Sequence, residues 1–140
     1  MRFIKWRSAY AVDVPDMDDE HQALFELLAA LQHALAENRP QEAITLLSKL
    51  KEHAIAHFTH EERLMRSTRY AHYAWHRRQH QAAPMKAALI EQSVREGDTQ
   101  TALEMAGSLG EWLREHIAIA DRMLSAHLRN HEREHAARAS

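Results

Sequence analysis

The stretch HFTHEERLM, residues 57–65, sets His57 and Glu61 four residues apart. HRRQH sets His76 and His80 four apart, EHIAIAD puts His116 five before Asp121, and DEHQALF puts His21 three before Leu24. Imidazole nitrogens and carboxylate oxygens are ligands for divalent first-row cations, and histidine is the commonest of them. Two residues four apart on a helix share one face. If all these positions are helical, five histidines and two carboxylates point toward one interior. Burying so many polar groups without a partner costs a few kcal/mol each, against a total stability of about 5–15 kcal/mol. Cations among them remove that penalty. Two six-coordinate ions offer about twelve positions; five imidazoles, two bridging carboxylates and one bridging water-derived oxygen fill about eleven. A paired centre with one position free suits a small ligand such as dioxygen. Spacing does not select iron over manganese or zinc.

The elements that must carry these residues are long. The chain has 140 residues, only 3 glycines and 3 prolines, and 45% apolar composition. That is the length of one ordinary domain. Residues 1–17 predict an extended arm holding Trp6, Tyr10, Val12 and Val14. Pro15, with Asp16 and Asp18 as capping carboxylates, starts a helix that runs to about residue 37 on Leu24, Leu27, Leu28, Leu31 and Leu35. Pro40 opens a second helix to about residue 66, with Ile44, Leu47, Leu50, Ala54, His57, Glu61 and Leu64 on its stripe. A third spans about 70–95, with Tyr73, His76, His80, Ala87, Ile90 and Val94 inward and Pro84 inside it as a kink or a lost hydrogen bond. Gly97 stops it and Asp98 caps a fourth, which carries Leu103, Ala106, Leu109, Leu113, His116, Ile117, Ala120 and Leu124 and continues past Arg129. The expected fold is all-α: an up-down-up-down four-helix bundle over residues 18–125, with the arm before it and a long C-terminal helical extension over 126–140. One domain covers 1–140.

The order His…HisxxxGlu…HisxxxHis…HisxxxxAsp resembles the hemerythrin family, and its details resemble the bacterial single-domain members, the bacteriohemerythrins. The matching stretches are Trp6 with YAVDV, MDDEHQALF, HFTHEERLM, HRRQH and WLREHIAIAD. The resemblance implies two iron ions joined by an oxo or hydroxo bridge. His76, His80 and His116 would hold one and His21 and His57 the other, with Glu61 and Asp121 bridging. It implies reversible dioxygen binding at the two-histidine iron, for storage, delivery or scavenging. Relatives carry a bulky aromatic three residues after the second histidine of the third helix, where this chain has Ala83 followed by Pro84. The ligand pocket, expected around Trp112, Ile117 and Ala83, is then roomier or refilled by Met85 or Trp112.

There are 12 histidines, and most lie outside the pattern. His60 and His72 are expected at the surface, and His33 belongs to no motif. His127, His131 and His135 are spaced by four in a polar stretch and read as a solvated helical face. His53, one turn before His57, is expected to pack or reach water. Asp18 and Glu62 are candidates to accept the second N–H of a ligating imidazole.

Net charge is −2, from 18 basic and 20 acidic residues, with no basic face to suggest nucleic acid. Cysteine is absent, which excludes disulfides and thiolate sites and fits a reducing compartment. No apolar run reaches the roughly 20 residues that cross a bilayer, and the start lacks an apolar leader. A cytoplasmic monomer is expected, with an oxygen-consuming protein as candidate partner and no membrane insertion. The alternative readings are a di-iron oxygen sensor or a redox enzyme. Di-iron carboxylate enzymes use mainly glutamates with GluxxHis pairs, whereas five neutral imidazoles favour the ferrous pair and a returnable oxygen. The expectation is a carrier, not an enzyme.

Overall fold

Short turns decide the topology. The computed structural model describes residues 3–139 and contains, among them, helices and no strand. Met1 and Arg2 of the predicted arm and Ser140 of the predicted extension lie outside the described residues. α1 is Pro15–Ala36, α2 Pro40–Ser67, α3 Tyr73–His80, α4 Ala82–Arg95 and α5 Thr99–His116; a π-helical turn, Ile117–Asp121, leads into α6, Arg122–Ala139. α1 packs on α2 and α5, and α4 packs on α2 and α5, which closes a four-membered ring with α3 and α4 end to end as one member. Asn38 and Arg69 take positive φ in two of the reversals, and Gly97 (φ 82°) does so after α4, where the left-handed conformation stops the helix.

Proline and an acidic cap mark the helix starts. Pro15 and Pro40 stand in the first turns of α1 and α2, where a missing N–H costs nothing. Asp98 caps α5 by accepting from the Thr101 backbone N–H at 3.0 Å. Asp18 does not cap α1; its Oδ1 accepts from Val12 N–H at 2.8 Å and fastens the arm instead. The predicted third helix is broken at Gln81. Pro84 cannot donate to the His80 carbonyl and its ring crowds that position, so the break falls one turn before it.

The stripes bury Leu24, Phe25, Leu28 and Leu31 from α1, Leu47, Leu50 and Met65 from α2, Ile90 and Val94 from α4, and Ala106, Leu109 and Leu113 from α5. On α2 the stripe ends on Met65, one turn beyond Glu61 and fully buried, and Leu64 sits at its edge. The arm crosses α1 and α5. Ile4 donates its N–H to the buried Gln32 at 2.8 Å and lies against Gly110, where a Cβ would stand 3.4 Å from its Cδ1. Trp6 and Tyr10 both pack on Phe25 at 5.3 Å between ring centroids. Arg122 and Arg129 reach back from α6 to the carbonyls of Ala9 and Val12.

Candidate metal centre

Seven side chains meet between the helices: His21 of α1, His57 and Glu61 of α2, His76 and His80 of α3, His116 of α5 and Asp121 of the π turn. None is more than 3% exposed. Six follow from helical periodicity. Asp121 does not, because five residues on an α-helix overshoot one turn by about 140°. The π-helical turn over Ile117–Asp121 widens the coil and brings Asp121 under His116.

Their potential ligand atoms form two groups, each with all atoms within 4.8 Å of one another. Glu61 Oε1 lies 2.9 Å from His80 Nε2 and 3.3 Å from His76 Nε2, and its Oε2 lies 3.1 Å from His57 Nε2. Asp121 Oδ1 lies 3.1 Å from His76 Nε2 and 3.2 Å from His116 Nε2, and its Oδ2 lies 2.9 Å from His21 Nε2. Each carboxylate thus gives one oxygen to each group. One group has His76, His80, His116 and two oxygens; the other has His21, His57 and two oxygens, one donor fewer.

The spacing suits cations better than hydrogen bonds. The Nε2 atoms of His21, His57, His80 and His116, Glu61 Oε2 and both Asp121 oxygens are buried and make no hydrogen bond. Buried polar atoms left this way are expensive. Metal–nitrogen and metal–oxygen bonds of about 2.1 Å at right angles put neighbouring ligand atoms about 3 Å apart. Contacts of 2.9–3.3 Å between the nitrogens and oxygens match the edges of such an octahedron.

The charge balance asks for the same thing. Burial favours neutral imidazoles and protonated carboxyls, yet the groups overrule it for one another. Burial works against the charge on His57, but the nearby charge of Glu61 and the hydrogen bond to Glu20 push its pKa up to about 10. Against the same burial, Asp121 and Glu61 push His76 up to about 9. Burial and Glu61 oppose the ionised form of Asp121, but His116 and His21 hold it well below the usual carboxylate range. Glu61 is likewise held low, against its own burial, chiefly by His57. The carboxylates stay ionised and draw positive charge to their neighbours.

The outer ring nitrogens of three of the clustered histidines have partners. His57 Nδ1 lies 2.7 Å from Glu20 Oε1, His80 Nδ1 3.0 Å from Glu62 Oε2, and His116 Nδ1 3.2 Å from Gln79 Oε1. An acceptor there keeps the proton on Nδ1 and turns the Nε2 lone pair inward. Of the two acceptors expected from sequence, Glu62 takes that role, whereas Asp18 serves the arm. Glu20 and Gln79 are not evident from sequence, since each stands beside one of the clustered histidines in the chain but serves a different helix. Glu20 also accepts from His60 at 2.8 Å. His60 is therefore a half-buried member of this network and not a free surface residue, its side chain 33% exposed.

Around the centre, Phe58 stacks on His80 (4.1 Å, 16°) and Trp112 on His116 (4.9 Å, 11°), and Ile117 is fully buried. Met85 is 71% exposed and fills nothing; Ala83 borders an apolar cavity together with Phe58 and Trp112. His33, His53 and His72 are exposed, as are His131 and His135. His127 departs from the expected solvated face: it bonds Thr68 Oγ1 at 3.0 Å and packs on Tyr70.

Comparison with known proteins agrees with this geometry. The family model described as the hemerythrin HHE cation binding domain matches residues 12–128. The chain belongs to the hemerythrin family. It is similar to the bacteriohemerythrin of Methylococcus capsulatus, 24% identical over 88% of this chain and 95% of that protein. It is 26% identical to that of Stenotrophomonas maltophilia over 96% of this chain and 90% of the relative. A myohemerythrin from Riftia pachyptila is 35% identical over 54% of this chain and 58% of its own. The crystal structure of a hemerythrin point mutant superposes with a TM-score of 0.81, covering 91% of this chain and 98% of that one at 23% identity, which shows the hemerythrin fold.

Proposed function

We propose that this chain binds dioxygen reversibly at a pair of iron ions. His76, His80 and His116 hold one, His21 and His57 the other, and Glu61 and Asp121 bridge them. The observation that carries the reading is the division of both carboxylates, one oxygen of each toward each histidine group. When bound, the ferrous pair supplies two electrons that dioxygen borrows and returns. The chain's own residues make that exchange reversible. Glu20, Glu62 and Gln79 accept from the Nδ1–H of His57, His80 and His116, which fixes these rings with Nε2 turned inward. Phe58, Trp112 and Ile117 keep water from the centre.

A redox enzyme is the competing class. Five imidazoles against two carboxylates favour the carrier, because oxygen-rich ligation stabilises higher iron oxidation states. The test is optical. Oxygen added to the anaerobic ferrous protein should raise a visible absorption band that bleaches under vacuum over repeated cycles. Irreversible conversion to the ferric form with release of a product would overturn the carrier reading. The proposal extends to a monomer in a reducing, cytoplasmic setting that serves an oxygen-consuming protein; the cysteine-free sequence suits that setting. Among the described residues no helix is long and apolar enough to cross a membrane.

A further inference from the structure

An apolar space lies beside the metal centre. A cavity of about 260 Å³ opens among α1, α2, α4 and α5. Its volume comes from small residues on facing walls: Ala54 on α2, Ala83 and Pro84 on α4. Ile55, 64% exposed, stands at the mouth. Phe58 and Trp112 also line it, and they are the two rings stacked on His80 and His116. None of the seven clustered histidines and carboxylates borders it.

The chemistry of the lining selects what would fill it. Lys51 is its one charged residue, and its ammonium is paired with Glu91 at 2.5 Å. Apart from Lys51 and the Trp112 indole, no lining side chain donates or accepts a hydrogen bond. An anion would have to displace Glu91, and a polar ligand would lose its water without replacement. A dry apolar cavity of about 150 Å³ already holds benzene, so this one has room for about two fused rings.

We propose that this cavity binds a neutral, flat, apolar organic molecule of up to about two fused rings, with Phe58 and Trp112 forming the surface it rests on. Such a ligand contacts the same rings that back two of the clustered imidazoles, so the cavity and the metal centre share a wall. This goes beyond oxygen binding and does not depend on it.

The test uses the metal-loaded protein as purified, with naphthalene as the probe, followed by calorimetry and tryptophan fluorescence. Wild type should bind one naphthalene saturably, with a change in fluorescence and a rise in Tm. Ala83→Phe should weaken binding by about tenfold or more, because the added ring occupies the volume. Ala54→Leu fills the cavity from the opposite wall and gives an independent reading should the first variant fail to fold. Met85→Ala, exposed and outside the lining, should bind as wild type does. Absence of saturable binding up to the aqueous solubility of naphthalene, or wild-type affinity in both filled variants, would overturn the proposal. None of these readouts involves dioxygen.

Discussion

At the scale of residues, Glu61 is the position on which most depends. It faces His57, His76 and His80 and is fully buried. Glu61→Ala should lose metal and helicity together, seen as less than one iron per chain and weaker circular dichroism; unchanged values would contradict a bridging role. Glu20→Ala removes the acceptor on His57 and should weaken metal retention by about ten- to a hundredfold, measured by competition with a chelator. His60→Ala, which leaves Glu20 on His57, should keep two irons per chain. The sequence displays the inward residues because their period is helical. It hides Glu20 and Gln79, because a residue one step from a ligand lies about 100° around the helix and faces a neighbour. Glu20 beside His21 serves His57, Glu62 beside Glu61 serves His80, and Gln79 beside His80 serves His116. A supporting residue found this way needs the bundle's order, which one helix cannot reveal.

At the scale of elements, the π turn is what a periodic reading cannot supply. Spacing of five between His116 and Asp121 fits one face only if the helix widens between them. Deleting Ile119, which is half-exposed, should restore the α-helical path and leave His116 and Asp121 four apart, the α-helical spacing of one face. Two irons per chain and most helicity should be kept; iron below one per chain would mean that the turn does more than correct the spacing. The break at Gln81 has a legible origin in Pro84, although its position one turn earlier follows from where the missing N–H would have bonded. The switch from Leu64 to Met65 is the ordinary ambiguity of neighbours at the edge of a broad apolar stripe. Beyond Asn130 every described residue of α6 is exposed. Truncation after Asn130 should therefore leave the iron content and the Tm unchanged within about 2 °C.

At the scale of the molecule, the bundle closes around charge. His57 and His76 have folded pKa values of about 10 and 9 against an ordinary 6.5, so their pairing with Glu61 and Asp121 stabilises the metal-stripped fold fully below 6.5. That contribution is lost as pH rises through 9 to 10, when the imidazoles give up the protons that offset the buried carboxylates. The Tm of chelator-stripped protein should drop by about 5 °C or more between pH 7 and pH 10. The metal-loaded protein should show a much smaller drop, since its carboxylates are neutralised by ions that do not titrate there. Equal slopes for the two forms would show that these groups are not the ones that hold the bundle. Four helices in ring order are readable from spacing and turn residues. The way α6 fastens the arm through Arg122 and Arg129 is not, because those ties join residues distant in sequence.

Elemental analysis of the purified protein, with chain concentration from amino-acid analysis, tests the central claim most directly. Two irons per chain in the wild type, and loss of metal in Glu61→Ala and Asp121→Ala, is the predicted result. A wild-type protein that takes up one ion or none from an iron-replete culture, while folded, would contradict it.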